Sequence, residues 1–238
     1  MLVAFKSHGQ IDDGAAAATT QVRSQVVTTT GTVVAADGTP TPTTSAARPG
    51  LDSTNMSVAF AALDRLVVAP ADPTIPKYDR HAFSGGEWSY DPSTGCNTRE
   101  LVLIQESLDP PVVNDRCHPL SGRWYSRYDG VITTDPTDLQ IDHLVPVADV
   151  WRSGAYRWTD ERRAAYYNDL DDSATLVAVT SRLNTAKSDS TPDEWLPPDP
   201  DAICAYVSDW VAVKARWKLS VTPAEKAVLV QKVQGCRP

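Results

Sequence analysis

The sequence predicts an α+β chain in which a short strand–strand–helix core is embedded in a mainly helical domain, behind a disordered N-terminal tail. Three observations carry this. Residues 1–55 are rich in Thr, Ala, Gly and Pro, whereas all seven tryptophans lie between Trp88 and Trp217, so the core belongs to residues 56–238. Two apolar, β-branched runs, at 140–146 and 176–180, have strand length and strand composition. The second passes directly into a polar, helix-compatible stretch at 181–189, and several later segments carry helix-capping signals.

The elements follow in order. Thr39-Pro40-Thr41-Pro42-Thr43-Thr44 is extended linker, and Val26-Val27 with Val33-Val34 can form at most a marginal hairpin near the Ala36-Asp37-Gly38 turn signal. Val58 to Val68 repeats apolar residues at helical spacing until the prolines of 70–76 end it. Tyr78 to Tyr90 reads as loop. Cys96 to Ile104 is a helix turn or strand leaving a loop, and Val112 to Cys117 leads into a return strand. Tyr128-Asp129-Gly130 is a hairpin turn between Arg123–Ser126 and Val131–Thr133, and Asp135 to Asp138 is a turn. Gln140 to Pro146 is a strand ended by a residue that cannot donate to a ladder. Val147 to Trp151 is a helix stopped by Ser153-Gly154. Thr159 caps another, which runs to about Leu170. After the strand at 176–180, Ser181 caps a helix carrying Asn184 and Lys187 on one face. Thr191-Pro192-Asp193-Glu194 reads as a helix start with proline in the first position. Asp201 to Trp217 is an amphipathic helix, and Thr222 to Glu225 is a capping box that opens the last one.

Net charge is −8, which excludes a strongly basic, sequence-reading DNA binder but not an enzyme that grips nucleic acid through a metal and a few arginines. Cys96, Cys117, Cys204 and Cys236 lack metal-finger spacing. Two disulfides are expected. Three connectivities are open, of which Cys96–Cys117 with Cys204–Cys236 closes the shortest loops; four buried thiols are the alternative. Disulfides imply an extracellular or otherwise extracytoplasmic setting, although Met1 to Phe5 is too short for a signal-peptide core. No run is long and apolar enough to span a membrane, so no membrane partner is expected, and the chain is read as a monomer.

The chemistry centres on Asp142-His143. Neighbouring strand residues point to opposite faces, so a bend or bulge is expected if both serve one site. A divalent ion between the Asp142 carboxylate and the Asn184 amide oxygen would have hard ligands suited to Mg²⁺, with Mn²⁺ the second choice. His143 could then take a proton from water, and Lys187 could place a positive charge beside a phosphate. An Asp-His pair alone is structural in most proteins; its order with a second strand and an Asn-bearing helix is what gives it weight. Arg152, Arg157, Arg162, Arg163 and Arg182 lie in the same span and could line a phosphate track, or simply a solvated face. His8, His81 and His118 are read as linker or surface residues.

Asp142-His143-Leu144-Val145-Pro146, then Leu176-Val177-Ala178-Val179, then Asn184-x-x-Lys187-x-Asp189 resemble the HNH (His-Me finger) endonucleases, particularly their secreted bacterial branch. Tyr78-Asp79-Arg80, Gly95-Cys96-Asn97-Thr98-Arg99, Tyr128-Asp129-Gly130, Trp151-Arg152-Ser153-Gly154 and Glu194-Trp195-Leu196-Pro197-Pro198 extend the likeness over about residues 57–236. The resemblance implies a ββα-metal core and a metal-dependent endonuclease of low sequence specificity acting on DNA, with RNA as a second substrate. It implies His143 as general base, Asp142 and Asn184 as metal ligands, and Lys187 near the phosphate. Asp172 or Asn168 is the candidate for orienting the histidine loop, with Arg152 and Arg182 as nucleic-acid contacts. Gln140 stands where related domains often carry an acid. The competing expectation is a secreted binding or toxin-type module that kept this fold and lost turnover.

Overall fold

The structure, a computed structural model, describes residues 53–236. The expected tail of residues 1–55 and its marginal hairpin lie outside the described residues, except for the last three, which open the first helix. The described residues form a mixed α/β arrangement of seven α-helices and four two-stranded antiparallel pairs.

In chain order, α1 (Ser53–Leu63) starts and ends earlier than its apolar spacing suggested. A short pair follows, β1 (Tyr90–Asp91) with β2 (Cys96–Asn97), which runs into α2 (Thr98–Glu106). Asn97 and Glu100 close a reciprocal capping box at the start of α2. The next pair is β3 (Val112–Val113) with β4 (Pro119–Ser121), and then β5 (Trp124–Tyr125) with β6 (Ile132–Thr133), joined through the expected Tyr128-Asp129-Gly130 turn. The central pair is β7 (Leu139–His143) with β8 (Leu176–Thr180). Between its strands lie α3 (Val147–Arg152) and α4 (Asp160–Tyr167). Helix α3 stops where Gly154 takes φ +137°, a backbone state that disfavours any residue with a Cβ. The chain ends with α5 (Ser181–Lys187), α6 (Ile203–Trp217) and α7 (Pro223–Gly235), the last with the expected Thr222/Glu225 box.

Two expectations need correction. Thr191 to Glu194 is a turn, not a helix start: the Thr191 amide meets the Glu194 carboxylate as in a cap, but no helix follows before Pro197-Pro198. Ser181 is the first residue of α5 and not its cap; its hydroxyl donates to the Asp138 carbonyl instead.

The β7–β8 pair separates two apolar clusters, because side chains alternate across it. Leu139, Ile141, Leu176 and Ala178 meet Val102 and Leu103 of α2 and Trp124 of β5. Val177 and Val179 meet the larger cluster, built from α1, α3, α4, α6 and α7. On the outer side of β8, the Ala178 N–H donates to the Glu106 carboxylate (2.8 Å) and the Thr180 N–H to the Ser126 hydroxyl (3.1 Å).

Of the three cysteine connectivities open to the sequence, the structure contains Cys96–Cys117 and Cys204–Cys236. The first ties the start of α2 to the β3–β4 loop, and the second ties the two ends of the α6–α7 hairpin. Removing such a bridge typically costs about 2–5 kcal/mol. A reductant is therefore expected to lower the melting temperature followed by circular dichroism; an unchanged midpoint would contradict a stabilising role for both bridges. Among the described residues, no helix is long and apolar enough to cross a membrane.

Candidate active site

Strand β7 and helix α5 build the site by matching two periods. Gln140 and Asp142, two apart on the strand, leave the same face of β7. Asn184 and Lys187, three apart on the helix, sit one turn above each other. The Asn184 amide donates to the Gln140 side-chain oxygen (2.8 Å), and the Lys187 ammonium reaches the Asp142 carboxylate at 2.8 and 3.0 Å. The same ammonium donates to the His143 carbonyl (3.1 Å), and the Tyr128 hydroxyl donates to Asp142 Oδ2 (2.6 Å).

Lys187, expected near a phosphate, is bonded to Asp142. It is fully buried, and its charge is spent on Asp142. Burial pushes the Asp142 carboxyl above its usual value, while the Lys187 charge and the bonds from Lys187 and Tyr128 pull it back. We read the pair as ionised, because the carboxylate accepts from both an ammonium and a phenol. Tyr128 stays a neutral phenol, its pKa raised first by burial and then by the adjacent carboxylate.

His143 ends β7. The ladder is unbroken through His143↔Leu176, so the expected bulge is absent and the Asp142 and His143 side chains diverge. They reach one cleft all the same, of about 320 Å³, lined by the last three residues of β7 together with Tyr78, Arg80, Asn184 and Asp189. The imidazole stacks on Trp88 (5.3 Å between centroids, 13°) and more loosely on Tyr166, and its Nε2 lies 2.9 Å from the Tyr167 carbonyl. A carbonyl can only accept, so Nε2 carries the proton and Nδ1 the lone pair.

Burial lowers the His143 pKa from 6.5 to about 3; the Tyr167 carbonyl opposes this, and the charges of Arg80 and Lys187 add to it. The ring is thus neutral in the folded state at pH 7. Between pH 6.5 and about 3 the unfolded chain takes up a proton that the folded chain does not. This contribution to stability is therefore complete above pH 6.5 and declines as pH falls towards 3. Urea midpoints measured over that range are expected to drop more steeply for wild type than for His143→Gln; parallel curves would contradict the buried neutral ring.

The other expected site residues lie elsewhere. Asn168 accepts from the Ser89 amide and the Thr98 hydroxyl (both 2.7 Å), and Asp172 accepts from the Ala174 amide; neither bonds to His143. The histidine's partner is the backbone of Tyr167, one residue before Asn168, and a backbone carbonyl has no signature in a sequence. Arg152 is paired with Asp189 (3.0 Å), and Arg182 approaches Asp129 (3.5 Å). A larger groove of about 750 Å³ touches the cleft at Asp189. It is lined by Asp72, Asp193 and Glu194 as well as Arg152 and Arg157, and it contains no histidine. The cleft also holds Arg80, Trp88 stacks on its histidine, and Tyr128 braces its aspartate. None of the three was singled out from sequence, although Tyr78-Asp79-Arg80 and Tyr128-Asp129-Gly130 stood among the motifs of the resemblance.

Metal capacity can be tested on these contacts. Among the described residues, no group of three or more His, Cys, Asp or Glu side chains is placed to hold a metal. Asp142 keeps one lone-pair site on Oδ1, and the Asn184 carbonyl oxygen has no protein donor among the described residues. Two hard oxygens fit an ion that keeps several waters and takes further ligands from phosphate, as Mg²⁺ and Mn²⁺ do; they do not fit a structural zinc.

Residues 107–232 match the protein family described as the C-terminal domain of GmrSD restriction endonucleases. An uncharacterized secreted protein of Arthroderma benhamiae is 39% identical over 180 residues, covering 76% of this chain and 85% of the relative. No solved structure matches.

Proposed function

Because the chain belongs to the GmrSD restriction endonuclease C-terminal domain family, a nuclease family, we propose that it is a metal-dependent endonuclease of low sequence specificity that hydrolyses DNA, and RNA secondarily, on a ββα-metal core of the HNH type. The observation that supports this best is the state of His143. Its Nε2 lies 2.9 Å from the Tyr167 carbonyl, which leaves Nδ1 as the free ring nitrogen, in a cleft that also presents an Asp142 oxygen and the Asn184 amide.

In this reading His143 Nδ1 takes a proton from water as the water oxygen bonds to phosphorus. The bond from phosphorus to the leaving oxygen breaks, and that oxygen acquires a proton from solvent. The Tyr167 carbonyl keeps the lone pair on Nδ1, and the stacked Trp88 holds the ring in place. Asp142 and Asn184 would hold Mg²⁺ or Mn²⁺, which when bound supplies charge stabilisation for the leaving oxygen. Lys187 acts on Asp142, not on substrate, and Tyr128 fixes the same carboxylate. Asp172 and Asn168 would support the loop that leads to β8 without touching His143, and Arg152 and Arg182 would meet nucleic acid only by exchanging their carboxylate partners for phosphate. The two disulfides, and the word "secreted" in the fungal relative's name, support work outside the cytoplasm. The chain would act as a monomer with no membrane partner.

One observation favours the alternative, a secreted module that kept the fold without turnover: the Lys187 ammonium already sits on the carboxylate that a cation would need. Plasmid nicking separates the two. Cutting in Mg²⁺ or Mn²⁺ that stops on adding EDTA is expected; no cutting by wild type in Mg²⁺, Mn²⁺, Ca²⁺ or Zn²⁺ would leave the non-catalytic module.

A further inference from the structure

With Lys187 buried on Asp142, the cleft needs another positive charge if it is to receive a phosphodiester. We propose that Arg80 holds the phosphate being cut and that the Tyr167 hydroxyl positions it. This inference rests on the nuclease reading above.

Arg80 opens a 3₁₀ turn, Arg80–Ala82, capped by Asp79, and it lies outside the family-matched residues 107–232. The cap carboxylate is engaged by the His81 amide and ring. No carboxylate of the described residues is paired with the Arg80 guanidinium, in contrast to Arg152, which shares the neighbourhood and is neutralised by Asp189. Arg80 instead donates to the uncharged Tyr167 hydroxyl (2.8 Å), and its guanidinium carbon lies 5.4 Å from the Tyr167 ring centroid. It lines the same cleft as His143 and Asn184, and it is exposed.

Tyr167 couples the two ends of the chemistry. Its backbone carbonyl accepts from His143 Nε2, while its hydroxyl accepts from Arg80 and donates to the Gly86 carbonyl (2.9 Å). The base and the guanidinium are thus fixed to one residue, so their separation is set before substrate arrives. A guanidinium has five N–H donors in a planar fork. With one used on the phenol, the rest can take two oxygens of a phosphate side by side. That would place the phosphate in the cleft that the imidazole also lines, and it would give charge stabilisation where the phosphoryl oxygens gain charge.

The test uses the full-length chain. Rates of plasmid nicking in Mg²⁺ and binding of a fluorescein-labelled DNA duplex in EDTA are compared for wild type, Arg80→Ala, Arg80→Lys, Tyr167→Phe, the Arg80→Ala/Tyr167→Phe double variant and His143→Ala. Arg80→Ala is expected to lower kcat by about 10²–10³-fold, the scale for losing one preorganised charge-stabilising donor, with the melting temperature unchanged. It should also weaken duplex binding and flatten the salt dependence by about one phosphate contact. Arg80→Lys should recover part of both losses. Tyr167→Phe keeps the carbonyl that holds His143, so it should lower kcat less, and the double variant should be no worse than Arg80→Ala alone. If Arg80→Ala lowers the melting temperature, Arg80→Gln, which removes the charge and keeps a donor for Tyr167, makes the same comparison. Nicking by Arg80→Ala at the wild-type rate, alongside an inactive His143→Ala, overturns the role of Arg80 alone. A wild type that neither cuts plasmid nor binds duplex overturns the nuclease reading and this inference with it.

Discussion

His143→Ala is expected to lower the rate of plasmid cutting by about 10²–10⁴-fold, the range that a positioned general base contributes. The melting temperature should move little by comparison with that loss, because the variant removes one stacking partner of Trp88 and leaves the β7–β8 ladder intact. His143→Gln is the sharper control: its amide nitrogen stands where Nε2 does and can still donate to the Tyr167 carbonyl, but it has no basic nitrogen. Equal losses in both variants identify proton transfer as what is missing. Recovery of cutting in His143→Gln would mean that the ring serves packing, and the assignment of the base would be wrong. Added imidazole restoring activity to His143→Ala would be independent support, since only a missing base can be replaced in that way.

The largest effect on stability is expected far from the cleft, at Lys214→Met. Lys214 is fully buried in α6, and its ammonium is shared by Asp149 of α3 (2.6 Å), Glu225 of α7 (3.1 Å), the Ser153 hydroxyl (2.8 Å) and the Ser220 carbonyl (2.9 Å). Glu225 in turn accepts from the Trp210 indole (2.6 Å) and completes the Thr222 capping box. Burial pushes the Glu225 carboxyl up; Lys214 opposes this, and Asp149 adds to it. Methionine matches the length of the lysine stem but leaves two carboxylates facing each other without a counter-charge. Breaking a buried ion pair from one side typically costs about 3–5 kcal/mol. Urea unfolding of Lys214→Met should show a loss of that order. A triple replacement of Lys214, Asp149 and Glu225 by apolar residues should recover much of it, since the cost lies in the stranded charges. A change below about 1 kcal/mol in the single variant would mean that the carboxylates are protonated in the folded state.

Local rules made much of the fold legible. Residues 176–180 are a strand with the expected bounds, Gly154 ends a helix by its positive φ, and Thr222 with Glu225 caps another. Asn184 and Lys187 share a helix face, as their spacing required. What that face meets was less legible, because it depends on how the helix sits over β7. Lys187 therefore carries the positive charge expected of it but turns it inward, onto Asp142. Thr191 to Glu194 has the residues of a helix start and none of the helix, because Pro197-Pro198 forbids the turns that would follow. The partner of His143 is a main-chain oxygen, and Arg80 arrives from a loop well before the strand. Neither can be read from local pattern, since both depend on tertiary closure.

The outer side of β8 has a consequence for the protein in concentrated solution. A strand with one neighbour normally presents a row of unpaired amides to which another chain can add. Here the Ala178 and Thr180 amides end on a carboxylate from α2 and a hydroxyl from the β5–β6 turn. These two side chains stand in for a third strand, and they offer an incoming backbone no ladder to extend. The strand that aligns the histidine is thereby shielded from edge-to-edge self-association on that side, even though its sequence, Leu-Val-Ala-Val-Thr, has the composition of an aggregation-prone segment.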